Sequence, residues 1–451
     1  MQGASISRWT MSYFAAALVF LLAGQALLAV GFGYPVKPVE APETLVIVHL
    51  LAVGWLGLLF CGALLQFVPV LVSKPLHAPH LALHALVLLI GGLLLLCCGF
   101  IHLAGYVEGG LVLLPIGGLL LATGFTLIAV MIGGTVLQAR PVALSARFVG
   151  LGLISLLATA GLGLAFALEL SGLTDTGWLH ALIPGGLSLH AYFGLIGWMS
   201  ASAFGVSYRL MTMFLLSPEA ERTTSRTALA LLAAGIAAAA AILLSLALGR
   251  ETSVAVHLPL GLAAAAALLF GYDVLTIYRT RKRKSLELNT IMSAGAVAAL
   301  MLSVLLYLTL VLTGRLQDDI GTLVYLVGFG WLSLLGLGQL YKIVAFMTWL
   351  EYYGPVLGRR PVPRVQDLVN ERRASGWFYL YAAMVAVAVA FLLAGIAFPV
   401  QVAALGQAIA AAGLMVELAR TRHLCYVSTE PADSKVRRHP PLFLPNPVER
   451  S

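Results

Sequence analysis

The chain has 451 residues, of which 60% are hydrophobic and only 10% are charged. Soluble globular proteins contain about 25% charged residues, so this composition excludes a soluble globule and predicts a protein embedded in a lipid bilayer. The formal net charge of +8 comes from basic residues in short loops, with no element that reads a nucleic-acid groove. It therefore argues against nucleic-acid binding and for contact with lipid headgroups.

Twelve apolar segments are long enough to cross a bilayer, which takes about 20 residues in a helix. In chain order they cover 12–33, 43–71, 80–105, 110–137, 146–169, 186–215, 227–249, 254–278, 289–313, 320–350, 376–397 and 399–419. The first segment follows a single basic residue and lacks a clear cleavage site, so we interpret it as a membrane helix and not as a signal peptide. The longest outer connection is predicted between Leu170 and Gly185.

An internal repeat organises these segments. A Gly-Trp pair recurs in the second, sixth and tenth segments, at Gly54-Trp55, Gly197-Trp198 and Gly330-Trp331. Each pair is followed at the same distance by a polar residue, and the fourth segments share a glycine at a similar interval: Gln66, Arg209, Lys342; Gly124, Gly271, Gly413. The repeat divides twelve helices into three groups of four.

The fold predicted from this repeat is an all-α membrane protein whose twelve transmembrane helices form three pseudo-threefold arcs of four. The arcs cover about 11–142, 143–285 and 286–420 within a single domain over residues 1–420, and a basic tail follows over 421–451. Most basic residues fall on one side, and the other side keeps only Lys37, Arg250 and Arg315. The positive-inside rule then predicts a bacterial-type inner membrane protein with both termini in the cytoplasm.

Histidines in the outer half of the predicted membrane are candidate cofactor ligands, because a neutral imidazole coordinates haem iron or copper without bringing charge into lipid. His49 and His190 are the deepest, six and eight residues before Trp55 and Trp198. At about 100° per residue they point about 160° apart, so their rings either converge between the second and sixth helices or diverge. His257, one turn inside the boundary, is a further candidate. The alternative for each is a hydrogen bond to a backbone carbonyl or a headgroup.

Two other sets of residues are candidates for function. Tyr325 takes the place in the tenth helix that His49 holds in the second. Arg209 and Lys342 occupy matching positions about 17 Å below their tryptophans, and with Asp273 they are candidates for a polar path from the cytoplasm. Because long basic side chains near a helix end also extend to the membrane surface, that arrangement is the alternative interpretation.

Twelve helices, three arcs and a histidine in the second helix together resemble subunit I of the haem–copper oxidases. The likeness is greatest to the cytochrome-c-linked oxidases and the related nitric oxide reductase catalytic subunit. It implies a b-type haem with His49 as an axial ligand, and copper with His190 as the single candidate ligand in the sixth helix. The family also has histidines in its tenth and seventh helices, and residues 323–342 and 227–249 contain none. We therefore expect a divergent relative and not a proton-pumping terminal oxidase.

Three functions follow from these features, since one scaffold hosts many functions. The first is a haem-binding membrane protein that handles nitric oxide or dioxygen or relays electrons, with a cytochrome or another respiratory subunit as partner. If it is an enzyme, it is a haem-dependent oxidoreductase. The second is a transporter or channel on the same scaffold, and the third is a cofactor-free accessory subunit of a respiratory complex.

Overall fold

The computed structural model describes residues 9–173, 177–218, 221–250, 257–359 and 361–427. Within these ranges the chain forms twelve long helices and no strand: α1 (Thr10–Ala29), α2 (Pro42–Val72), α3 (Leu81–Leu103), α4 (Leu113–Leu137), α5 (Leu144–Leu170), α6 (177–215), α7 (Thr223–Ala247), α8 (His257–Arg279), α9 (Leu288–Leu312), α10 (Leu316–Val356), α11 (Glu371–Leu393) and α12 (Ala397–Arg422). At least eleven of them are long and apolar enough to cross a membrane. The prediction of an all-helical, multi-pass membrane protein is confirmed.

The start of α6 differs from the prediction. The outer connection expected up to Gly185 ends earlier, because α6 begins at residue 177. Its glycines are packing residues: a Cβ atom placed on Gly185 would lie 2.8 Å from Leu246 of α7, and one on Gly186 would lie 2.9 Å from Phe166 of α5. Of the predicted tail, the first two residues continue α12, and residues 428–451 lie outside the described ranges.

Helices that are adjacent in the chain pack as neighbours, most extensively α3 with α4, α7 with α8 and α11 with α12. Each of these three helix pairs also contacts a further helix: α5 packs on α4, α9 packs on α8, and α1 packs on α12. The last of these brings the two ends of the helical chain together. Close approach of this kind in lipid depends on small residues at the contacts, which the 46 glycines of the chain supply.

The three helices that carry the Gly-Trp pairs share a feature that the sequence analysis did not predict. Each contains a π-helical segment at its pair: Leu50–Gly57 in α2, Tyr192–Ser200 in α6 and Leu326–Ser333 in α10. The three π segments contact one another. π-Helical turns are rare and occur frequently at functional sites, so their recurrence at matching positions makes them part of the repeat.

Two tryptophan hydrogen bonds join these π segments. Trp55 Nε1 donates to Ser333 Oγ at 2.8 Å, and Trp331 Nε1 donates to Ser200 Oγ at 3.2 Å. Each acceptor is the serine two residues after the tryptophan of another repeat. In the first repeat that position is Gly57, and Trp198 Nε1 is buried with no hydrogen-bond partner in the described part of the chain. Two of the three repeated tryptophans therefore donate a hydrogen bond to another repeat, and the third does not.

This asymmetry gives a matched pair of variants. We expect Trp55→Phe to lower the free energy of unfolding by about 1 kcal/mol more than Trp198→Phe, because only the first change removes a hydrogen bond. Both indoles are fully or almost fully buried, so the loss of apolar area is similar. Thermal unfolding of both variants in one detergent measures the difference, and equal losses would contradict the assignment.

A candidate paired-histidine site

The structure brings His49 and His190 together. Their ring centroids lie 6.5 Å apart, and the ring planes are inclined by 31°. His49 directly precedes the π segment of α2, and His190 lies two residues before that of α6. Of the two arrangements that the helical phase allowed, the rings therefore adopt the converging one, in the gap between α2 and α6.

The hydrogen bonds of the two rings are suited to ligation. His49 Nδ1 lies 2.8 Å from the Leu45 carbonyl oxygen, so Nδ1 carries the proton and Nε2 keeps its lone pair. Metal-binding histidines usually donate their other N–H to such an acceptor, which fixes the tautomer and the ring orientation. His190 interacts with the backbone of Thr159, but its buried Nδ1 forms no hydrogen bond of normal geometry with the described residues.

Apolar residues from two further helices complete the surroundings. The Phe100 ring of α3 lies 5.1 Å from the His49 ring, and the Phe166 ring of α5 lies 5.8 Å from the His190 ring, edge-on. A Cβ atom placed on Gly163 of α5 would lie 3.1 Å from His190 Cε1, so a side chain there would press on the ring. The pair thus lies at the junction of α2, α3, α5 and α6, each histidine half-buried.

The other predicted cofactor residues lie elsewhere. His257 is exposed in the first turn of α8, and its carbonyl oxygen accepts a hydrogen bond from the Tyr307 hydroxyl at 3.4 Å. Tyr325 is buried in α10, where its hydroxyl accepts a 2.7 Å hydrogen bond from Gln407 Nε2. No hydrogen bond or ring contact within the described ranges joins either residue to the histidine pair.

The repeat explains why a single histidine pair forms. His49 lies six residues before Trp55 of its own repeat. Its ring lies beside His190, which is eight residues before Trp198 of the next repeat. The same two positions in the other pairs of repeats hold a tyrosine and an aliphatic residue. They are Tyr192 and Leu323 for the second and third repeats, and Tyr325 and Ile47 for the third and first. The signal was therefore present in the sequence, but it appears only when different positions of successive repeats are compared.

The residues predicted to form a polar path do not share one set of partners. Asp273 is fully buried in α8 and accepts hydrogen bonds from the hydroxyls of Tyr208, at 2.8 Å, and Thr224. Lys342 of α10 pairs with Glu287, just before α9. Arg209 is exposed on α6, one residue after Tyr208, and both line a pocket with Glu221. Asp273 and Lys342 thus belong to different repeats, each with its own partners.

No family model matches the chain, and no curated protein matches it significantly. Among the described residues, no group of three or more histidine, cysteine, aspartate or glutamate side chains is placed to hold a metal ion. The two facing histidines are therefore the arrangement from which a function can be inferred.

Proposed function

We propose that this chain is a haem-binding integral membrane protein in which His49 and His190 are the two axial ligands of one b-type haem. The spacing of the rings carries the proposal. An imidazole nitrogen coordinates a metal at about 2.0–2.1 Å, so two imidazoles that held one metal between them would have ring centroids up to about 6.4 Å apart. The observed separation is 6.5 Å.

The number of ligands favours haem over a bare metal ion. Zinc and copper(II) sites take three or four ligands from the protein, and the described part of the chain offers two histidines here and no third ligand. Haem iron takes four nitrogens from the porphyrin, so two axial histidines complete its coordination. The paired site accordingly supports haem and does not support the copper that the oxidase resemblance implies.

A haem bound in this way supplies one-electron redox chemistry. With both histidines as ligands, no protein-free position would remain on the iron, so such a site would favour electron transfer over binding of nitric oxide or dioxygen. The surrounding residues hold the two ligands in place. The carbonyl oxygen of Leu45 orients the His49 ring, and the Phe100 and Phe166 rings pack beside the two imidazoles and limit the access of water. A dry surrounding of this kind is one of the features by which proteins set a haem potential.

The proposal includes the arrangement of the whole chain. The helices form three arcs of four around the π segments, and the protein is a divergent relative of haem–copper oxidase subunit I. Both termini lie on the cytoplasmic side of a bacterial-type inner membrane, as the basic loops favour. The histidine pair then lies in the outer half of the membrane, where a cytochrome or another respiratory subunit is the redox partner.

The test is the absorption spectrum of the purified protein, recorded reduced minus oxidised after incubation with haemin. We expect a Soret band and a sharp α band typical of a six-coordinate low-spin haem, with about one haem per chain. Carbon monoxide should leave the reduced spectrum unchanged, because no axial position is open. A protein that retains no haem after incubation with excess haemin and removal of the free haemin would contradict the proposal. If vesicles containing that protein then moved an ion or metabolite, a transporter would be favoured.

A further inference from the structure

Helix α1 carries a buried carboxamide without a hydrogen-bond partner in the described part of the chain. Gln25 of α1 is fully buried, and neither its Nε2 nor its Oε1 forms a hydrogen bond with the described residues. Gln407 of α12 is also fully buried; its Nε2 donates to the Tyr325 hydroxyl, whereas its Oε1 has no such partner. Unpaired buried amides are costly, and in native proteins such groups usually bind ordered water.

The two glutamines lie at the same depth. At the outer ends of the two helices, a Cβ atom placed on Gly31 would lie 2.5 Å from Gln401 Nε2, so these residues are in contact. Gln25 lies six residues before Gly31 and Gln407 six residues after Gln401, and α1 and α12 run in opposite directions. With a rise of 1.5 Å per residue, both carboxamides lie about 9 Å further into the membrane.

Two tyrosines extend this polar group towards the central π segments. Tyr381 of α11 is fully buried and interacts with Tyr325 and Ser333, but its hydroxyl makes no hydrogen bond of normal geometry within the described ranges. Ser333 in turn accepts the hydrogen bond from Trp55. The polar group therefore reaches from Gln407 of α12 to the π segments of α10 and α2.

We propose that α1, α10, α11 and α12 enclose an internal water site lined by Gln25, Tyr325, Tyr381 and Gln407. The lining is neutral, with two carboxamides and two phenols, which suits water and not an ion. Four unpartnered polar atoms provide the two to four hydrogen bonds that an ordered water needs. In the first and second repeats the position of Gln407 is taken by Gly118 and Ala265, so this carboxamide occurs in the third repeat alone.

Hydroxyl-radical footprinting of the intact protein in detergent tests the site, because radiolysis of a bound water oxidises the side chains beside it. We expect Tyr381 to be oxidised several-fold faster than Tyr13. Tyr13 is the matched control: it is also fully buried, but its hydroxyl donates to the Ala82 carbonyl oxygen at 2.8 Å. Equal, slow oxidation of both tyrosines would overturn the proposal. This measurement uses the unmodified chain, so it does not depend on a variant that folds.

The sign of a stability change gives a second test. If water occupies the site, Gln25→Leu removes hydrogen bonds to it, and Tm falls. If the site is dry, the same change replaces an unpaired carboxamide with an apolar side chain, and Tm rises, which would overturn the proposal. The control is Gln401→Leu, in the same interface but half-exposed at the outer surface, for which we expect little change in Tm. Neither measurement depends on haem, so the two proposals fail independently.

Discussion

Replacing either His49 or His190 with alanine is expected to abolish the six-coordinate haem spectrum. The two ring centroids lie 6.5 Å apart, and under the proposal each ring would supply one of two axial nitrogens. Removal of one leaves at most a five-coordinate, high-spin haem that binds carbon monoxide, and removal of both leaves no protein ligand to the iron. Absorption spectra of the two single variants and the double variant, before and after addition of carbon monoxide, measure the effect.

The design includes a control and a rescue. His257→Ala should keep the full spectrum, because this exposed side chain makes no contact with the pair in the described structure. Free imidazole should restore the low-spin spectrum of each single variant by occupying the space that the side chain left. If both single variants retained a low-spin haem, the axial assignment would be wrong. Loss of haem in His257→Ala alone would move the site to α8.

The packing of α3 against α4 predicts the largest loss of stability. A Cβ atom placed on Gly117 would lie 2.6 Å from the backbone nitrogen of Leu96, and one on Gly92 would lie 2.8 Å from the backbone nitrogen of Leu121. These neighbours are backbone atoms, so they can move away only if the two helices separate. We expect Gly117→Val to lower the free energy of unfolding by about 3 kcal/mol, at the upper end of the usual cost of overpacking.

Gly91 is the matched control, because it neighbours Gly92 in the same helix and has no atom within 4 Å of its Cβ position. We expect Gly91→Ala to be neutral or to stabilise the protein, since alanine favours a helix interior over glycine by up to about 1 kcal/mol. Thermal unfolding of both variants in one detergent gives the comparison. A similar loss in both would show that the cost comes from the helix backbone and not from the contact between α3 and α4.

Particular residues show how far the sequence was sufficient. His49 and His190 were identified as candidates from depth and repeat position, but the helical phase allowed both convergence and divergence. The outer connection was expected to run to Gly185; in the structure Gly185 and Gly186 lie inside α6, where they provide room for Leu246 and Phe166. The π segments had no local signal, since the same residues are compatible with α-helical hydrogen bonding. Arg209 and Lys342 were grouped by matching positions in the repeat, but in the structure Lys342 pairs with Glu287 of the third repeat, whereas Asp273 bonds to Tyr208 of the second.

The sequence by itself determined that this is a membrane protein with twelve helices and a repeated Gly-Trp pattern. These properties depend on the length of apolar segments and on spacing along the chain, both of which can be counted. Only the tertiary structure decided that two histidines on different helices lie with their rings 6.5 Å apart, and that the buried carboxamide of Gln25 has no hydrogen-bond partner among the described residues. The distance between side chains on separate helices depends on how the whole bundle packs, and no spacing within one helix contains that information.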